Sequence, residues 1–523
     1  MKDFIDEVIA NHVPIPGRNP NNQIYKTDSY KSTQYNMWQD LDFDDDGLKE
    51  RLVEMYAFIE SRVGARDDYL VMAGVQAVAL ELEKIRVNMD DVKDAIIFYA
   101  EHFSSVGKYH FNPLPWLKIV LEHEGRLPLE FKAIPEGSLV PIGIPLCTIR
   151  NTDEHCAQIV SHVEGWLQKA MWYPITVATN ALRFSKTIKK ALVQTADPEI
   201  VESFLPFSLQ DFAYRGCTSE DAARIGCGAA LYVTLGSDTV SAIEHIMRTM
   251  PGDKIPAFSV AASEHNQAMC KGRDGEFKQL KRVLKNYPKG TLACVADTYN
   301  VLHFVDKVSS PGEFRDLIMS RDGTFVIRPD SCVVDENGYE MTPAETISEI
   351  FKILDKNLKD VNTVNQKGFK VLNSHFRVIY GDGLNNEKID DILKRMIKDG
   401  WCASNIIFGV GGNLAQKIDR DTERFAMKAS EQKFLVSDVN GKKWTDVRQV
   451  CKETPGKQSK KGRFHIVDFG KGNVKCFPEG DLEAITHPNM LETYTKDGSI
   501  LRVLDNIDTV RDRVNKSRRE LNI

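Results

Sequence analysis

Between residues 205 and 415 the chain carries six short apolar runs, each closing on polar or glycine residues. They are 207–216 (FSLQDFAYRG), 258–265 (FSVAASEH), 291–299 (TLACVADTY), 324–331 (TFVIRPDS), 376–383 (FRVIYGDG) and 406–413 (IIFGVGGN). A further polar turn, Gly236-Ser237-Asp238-Thr239, closes the small apolar stretch 226–235. Helix-like stretches separate the runs at intervals of roughly 30–50 residues, which suits repeated β-α units. Buried parallel strands read as continuous apolar runs, and their chemistry gathers at the C-terminal ends. The pattern predicts an α/β barrel over about 201–420. One barrel face would carry Asp211, Arg215, Asp238, Glu264, His265, Asp297, Arg328, Asp330, Asp382 and Gly411-Gly412.

The flanks have a different texture. Residues 50–125 read as helical, with Val92, Ala95, Ile96, Tyr99, Ala100 and Phe103 on one face at helical spacing. Residues 129–149 read as short strands broken by Pro135, Gly137, Gly143 and Pro145, and 155–194 return to helix. Residues 1–23, with Pro14, Pro16, Gly17 and Pro20, read as a mobile extension. The segmentation is therefore an extension (1–23), a helix-rich and β accessory part (24–200), the barrel (201–420) and a second accessory part (421–523).

The 523 residues are 42% apolar and 27% charged, an ordinary globular composition that excludes a disordered or fibrous chain. The net charge of −6 gives no basic excess for nucleic acid. No apolar run approaches the roughly 18 residues that span a bilayer, and the N-terminus is unlike a signal peptide. Ten cysteines lie scattered, the nearest pair (Cys147, Cys156) nine apart, so neither a zinc ribbon nor a thioredoxin-type site is indicated. Scattered thiols suggest a reducing, cytoplasmic location.

Several pieces could carry chemistry. His265 ends a strand run beside Glu264; it is either a hydrogen-bonded histidine of the barrel rim or a nucleophile or proton carrier oriented by a carboxylate. Arg328-Pro329-Asp330-Ser331 places a guanidinium that suits phosphate beside a carboxylate that suits hydrated Mg²⁺, or else forms a structural ion pair. The turns Gly381-Asp382-Gly383 and Gly409-Val410-Gly411-Gly412 could cradle phosphate on backbone N–H groups. The second fails the dinucleotide fingerprint, because Leu414 stands where its third glycine belongs. Residues 42–47 (DFDDDG) open like an EF-hand loop, but position 12 is Val53 and a solvated acidic loop is the better account. The basic stretch 457–463 (KQSKKGR) is a solvated loop unless it meets a phosphorylated small molecule.

Together the motifs resemble the nicotinamide phosphoribosyltransferase family. TDSYK (27–31), WYPITVATN, DFAYRG, GSDTV, the SVAASEH strand end, IRPDS, RVIYGDG, GVGGN, QKIDRD and SKKGR occur in the family's order over most of the chain. The resemblance implies an irregular α/β barrel of the type II phosphoribosyltransferase kind, with an α+β accessory domain from both chain ends. It implies a homodimeric pentosyltransferase of NAD salvage that makes nicotinamide mononucleotide from nicotinamide and phosphoribosyl pyrophosphate, with its active sites at the subunit interface. By the same resemblance the nicotinamide ring stacks between Phe212 and a partner's Tyr30, with Arg328 and Arg215 at the pocket and Asp238 accepting from the carboxamide. His265 corresponds to a histidine phosphorylated by ATP, oriented by Glu264 and Asp297. The sugar and its phosphates would meet Asp330, Arg328, Gly381, Asp382, Gly411, Gly412 and Arg420, with Arg62, Lys428, Lys452 and Lys457 from the partner. Mg²⁺ would act at the pyrophosphate, aided by Asp330.

The chain departs from the family at Gln210, Ala213, Ala261, Ser263, Cys332 and Asn413. None of these removes a proposed catalytic group. Rival readings are a nicotinate-preferring phosphoribosyltransferase, against which Asp238 speaks, and a barrel lyase or aldolase that uses His265 for proton transfer.

Overall fold

The computed structural model describes residues 1–11, 19–455 and 457–523. The chain divides into two compact units. One comprises Met1–Thr176, Thr249–Pro251 and Asp419–Asn522; the other comprises Val177–Arg248, Gly252–Ile418 and Ile523.

In the second unit each apolar run forms a strand. The order across the sheet is Gly236–Ser237, Leu209–Asp211, Ile406–Val410, Phe376–Tyr380, Phe325–Arg328, Leu292–Val295 and Ala261–Ala262. Every neighbouring pair is parallel. A parallel bridge between Gly236 and Phe258 links the two edges, with Ser237 N donating to Phe258 O at 3.2 Å and Phe258 N to Leu235 O at 2.8 Å. The sheet therefore curls into an irregular barrel. Alternation along each strand sorts the faces. Ala293, Val326 and Ile379 cluster with Phe212 and Ile407 packed against them. Phe325, Phe376, Phe408 and Tyr380 point the other way and are fully buried. The amphipathic helices Val301–Ser309, Pro343–Asn357 and Asn386–Lys398 belong to the same unit and bury their apolar stripes, such as Ile347, Ile350, Phe351 and Leu354.

The first unit is built on an antiparallel seven-stranded sheet, ordered Lys443–Gln449, Phe425–Asp438, Leu48–Ser61, Pro145–Asn151, Leu129–Ala133, Glu492–Lys496 and Ser499–Ile500. Both ends of the chain meet in it, with Ala57 opposite Ala429 and Glu492 opposite Ala133. Helix Met89–His102 carries the expected apolar face and starts with a reciprocal cap between Asn88 and Asp91.

Two expectations are corrected. Residues 50–61 belong to the strand Leu48–Ser61, and the first helix of the region starts only at Val75. This strand is central and covered on both faces, so 52–59 are nearly all buried and show no period of two. At the N-terminus, Lys2–Ala10 is a helix that buries Ile5 and holds Asp6 against Lys108 at 2.7 Å and Tyr109 at 3.0 Å. Asn19 and Asn22 anchor on Asp91. Pro14, Pro16 and Gly17 lie outside the described residues. In the acidic stretch, Asp44 Oδ1 accepts from the backbone N–H groups of Asp46 and Leu48, which makes a tight turn. Among the described residues no helix is long and apolar enough to cross a membrane.

Candidate active site

A cavity of about 830 Å³ opens in the barrel unit at the C-terminal ends of its strands. Its walls include Phe212, Arg215, Asp238, Glu264, His265, Arg328, Asp330, Gly381, Gly411 and Gly412. Parallel strands bring these residues together across two hundred positions of sequence, because every βα loop leaves from the same end.

One wall of the cavity is the Phe212 ring. Phe212 N donates to Val410 O at 3.0 Å, and the Phe212 ring lies against the backbone of Gly409 and Gly381. A Cβ at Gly409 would come 2.2 Å from the ring, so only glycine fits beneath it. Asp238, one residue beyond the strand Gly236–Ser237, accepts from Ser259 Oγ at 2.5 Å through Oδ1. Arg328 Nη2 donates to Ser263 O at 3.1 Å, while its buried Nε has no partner. Asp211 serves the scaffold instead: it is 1% exposed, and its oxygens accept from Ala213 N (2.8 Å) and Ser237 Oγ (2.7 Å). Burial pushes its carboxyl above the ordinary range, against the pull of those bonds.

A second group in the cavity centres on His265, the first residue of a short helix. Its Nε2 stands 3.8 Å from Asp297 Oδ1 and 3.8 Å from Asp330 Oδ2. Thr298 Oγ1 is 3.5 Å from its Nδ1. Asp297 is nearly buried; Oδ2 accepts from Ser331 Oγ at 2.6 Å, and Oδ1 has no hydrogen-bond donor. Asp382 follows Gly381 and is exposed.

The remaining sequence-derived residues lie in the first unit. Tyr30 is 57% exposed, with Lys31 Nζ 5.3 Å from its ring centre. Lys428 Nζ donates to Met427 O at 2.7 Å. Burial chiefly, and then the positive charges of Arg62, Lys31 and Lys452, pull the Lys428 ammonium below its ordinary range, against Glu164. These four cations act on one another in one region of the unit, where Lys31 Nζ also pairs with Glu164 at 2.5 Å. Lys457 is exposed, and Arg420 pairs with Asp421 at 3.1 Å.

Two family models match the chain. The nicotinate phosphoribosyltransferase (NAPRTase) family model covers residues 207–484, and the model of the N-terminal domain of nicotinamide phosphoribosyltransferase covers 22–131. The chain is 33% identical over 489 residues to a nicotinamide phosphoribosyltransferase of Xanthomonas campestris pv. campestris (strain 8004), spanning 92% of this chain and 96% of that one. The chain belongs to the nicotinamide phosphoribosyltransferase family. A Mycoplasma pneumoniae relative of the same name is 32% identical over 356 residues, 67% of this chain and 74% of that one. Among solved structures, nicotinate-nucleotide pyrophosphorylase from Pyrococcus furiosus superposes with a TM-score of 0.58 at 16% identity, covering 98% and 100% of the two chains, and shares the fold. Membership of the nicotinamide phosphoribosyltransferase family makes the chain a pentosyltransferase.

Within this family frame, several groups escaped sequence reasoning. Ser259 and Ser331 hold carboxylates, Thr298 faces the histidine, and Lys31 joins the cations around Lys428. Hydroxyls carry no pattern of their own in a sequence, whereas Lys31 sat inside the TDSYK motif. Cys332 Sγ lies 3.3 Å from the hydroxyl of the buried Tyr380. Among the described residues no group of three or more His, Cys, Asp or Glu is arranged to hold a metal. Mg²⁺ in phosphate chemistry needs less, one or two carboxylates plus the substrate's own phosphates. Asp330 fits: its carboxylate is 27% exposed at the cavity and accepts no hydrogen bond from the described residues.

Proposed function

We propose that the cavity joins nicotinamide to phosphoribosyl pyrophosphate, giving nicotinamide mononucleotide and pyrophosphate in NAD salvage, with ATP hydrolysis coupled through phosphorylation of His265. The observation that carries the choice of base is Asp238 in the same cavity as the Phe212 ring. Ser259 occupies one of its oxygens and leaves the other to accept from a carboxamide N–H. A nicotinate carboxylate at that place would meet a like charge.

The chemistry follows from the groups present. The pyridine nitrogen attacks C1′ of the sugar, and the C1′–O bond breaks with its electron pair leaving on pyrophosphate. Positive charge grows on the ribose, where the Asp330 carboxylate opposes it. Stacking on Phe212 aligns the nucleophile before reaction. Mg²⁺, held by Asp330 and the substrate's phosphates, would neutralise the departing pyrophosphate. The reading takes Tyr30, Arg62, Lys428, Lys452 and Lys457 from a second copy of the chain in a homodimer, where the cations would meet the pyrophosphate.

His265 Nε2 faces the two carboxylates, and the reading takes Nδ1, on the other side of the ring, as the nucleophile. Nδ1 attacks the γ-phosphorus of ATP, and the bond to the β-phosphate oxygen breaks, releasing ADP. Water later attacks phosphorus, the P–N bond breaks, and its electron pair returns to the ring.

The test is mass-spectrometric detection of nicotinamide mononucleotide from nicotinamide, phosphoribosyl pyrophosphate and Mg²⁺, with nicotinate as competitor. The amide product should dominate. A preference for nicotinate would overturn the choice of base, and turnover without phosphoribosyl pyrophosphate would overturn the reaction class.

A further inference from the structure

We infer that Ser331 is a positioning residue that couples the sugar-phosphate side of the cavity to the chemistry of His265; the inference rests on the proposed phosphohistidine. Two carboxylates, those of Asp297 and Asp330, stand at the same 3.8 Å from one nitrogen, His265 Nε2. What separates them is Ser331. Its hydroxyl donates to Asp297 Oδ2 at 2.6 Å and so turns the other oxygen, buried and without a donor, toward the imidazole. Asp330 has no comparable donor among the described residues and stays available to the substrate.

Chain geometry makes this a link between two events. The strands Leu292–Val295 and Phe325–Arg328 pair in parallel, and their ladder ends where Ala296 N donates to Arg328 O at 2.9 Å. Beyond that bond the Ser331–Asp297 hydrogen bond ties together the two loops that carry Asp297 and Asp330. Asp330 and Ser331 are consecutive. A sugar substrate that draws on Asp330 therefore shifts the hydroxyl that aims Asp297, and with it the stabilisation of a positively charged, phosphorylated His265. Occupancy of the sugar site thus reaches the histidine through one hydroxyl.

The experiment measures ADP released and nicotinamide mononucleotide formed in the same samples, together with acid-labile label on the protein from γ-labelled ATP. In Ser331→Ala the ATP consumed per nucleotide formed should rise about tenfold, the factor that accompanies loss of one hydrogen bond to a charged group. The amount of label on the protein should also no longer depend on whether phosphoribosyl pyrophosphate is present. Ser331→Thr, which keeps the hydroxyl, should retain the wild-type ratio. Melting temperatures establish that each variant is folded, and Ser331→Cys, a near-isosteric weak donor, replaces the alanine variant if that one is not. A labelled wild type with an unmoved ratio in Ser331→Ala overturns the coupling role alone, as does a threonine variant that behaves like alanine. An unlabelled wild type overturns the phosphohistidine and this inference with it.

Discussion

The ring of Phe212 fills the space that a side chain on residue 409 would need: a Cβ on Gly409 would lie 2.2 Å from Cε2 of that ring. The glycine of the strand Ile406–Val410 thus makes room for the Phe212 ring that lines the cavity, although it reads in sequence as a turn or phosphate residue. Gly409→Ala should push the ring into the cavity. Overpacking of this kind costs about 1–3 kcal/mol, which predicts roughly a tenfold or greater rise in KM for nicotinamide. KM for phosphoribosyl pyrophosphate should move much less. Steady-state kinetics with each substrate varied in turn check this, and equal changes in both constants would count against a ring-specific effect.

Asp238→Asn replaces a repelling charge with a group that can also donate. The ratio of kcat/KM for nicotinamide over nicotinate should fall by about tenfold or more, since a close like charge near a protein surface is worth more than 1 kcal/mol. The competition assay reads this ratio directly. An unchanged ratio would remove Asp238 from base selection.

His265→Ala should abolish protein labelling from γ-labelled ATP and the stimulation of synthesis by ATP, while slow synthesis without ATP continues. The cavity's aromatic, guanidinium and carboxylate groups are untouched by the change. Continued labelling of the variant would place the phosphoryl group elsewhere.

Glu423 supplies a pH test of stability in the first unit. It is fully buried, with Arg66 Nη2 at 2.9 Å and Asp67 N donating at 3.2 Å. Burial, and then the charge of Asp67, push its carboxyl from the ordinary 4.5 up to about 7, against the pull of Arg66. The folded protein therefore holds this proton more tightly than the unfolded chain. Its contribution to stability is fully present below about pH 4.5 and is lost as pH rises through about 7. Glu423→Gln, which cannot ionise, should match the wild type at low pH and be more stable at pH 8–9, by up to about 3 kcal/mol. Thermal melts across that range decide it, and parallel curves for the two proteins would refute the shift.

The barrel was legible in sequence because its strands are buried on both faces and end in the residues that work. Runs such as FRVIYGDG and TFVIRPDS therefore marked both a strand and its chemistry. The strand Leu48–Ser61 stayed hidden because its charged first half, with Lys49, Glu50, Arg51 and Glu54, leads into an apolar run, 55–59, that shows no period of two. Asp211 looked like its neighbours on the barrel rim, yet its position one pleat deeper turns it to Ala213 and Ser237.

By itself the sequence determined the α/β class, the order of the strand ends, and that His265, Asp330, Arg328 and Asp238 could share one face, because strand alternation and βα connectivity are local properties written in apolar periodicity. Only the tertiary structure decided which oxygen of each carboxylate is free, that Ser259 and Ser331 hold the others, and that Lys31 joins Arg62, Lys428 and Lys452. Hydrogen bonds and charge clusters of this kind act over a few ångströms between residues tens to hundreds of positions apart, and no local pattern records them.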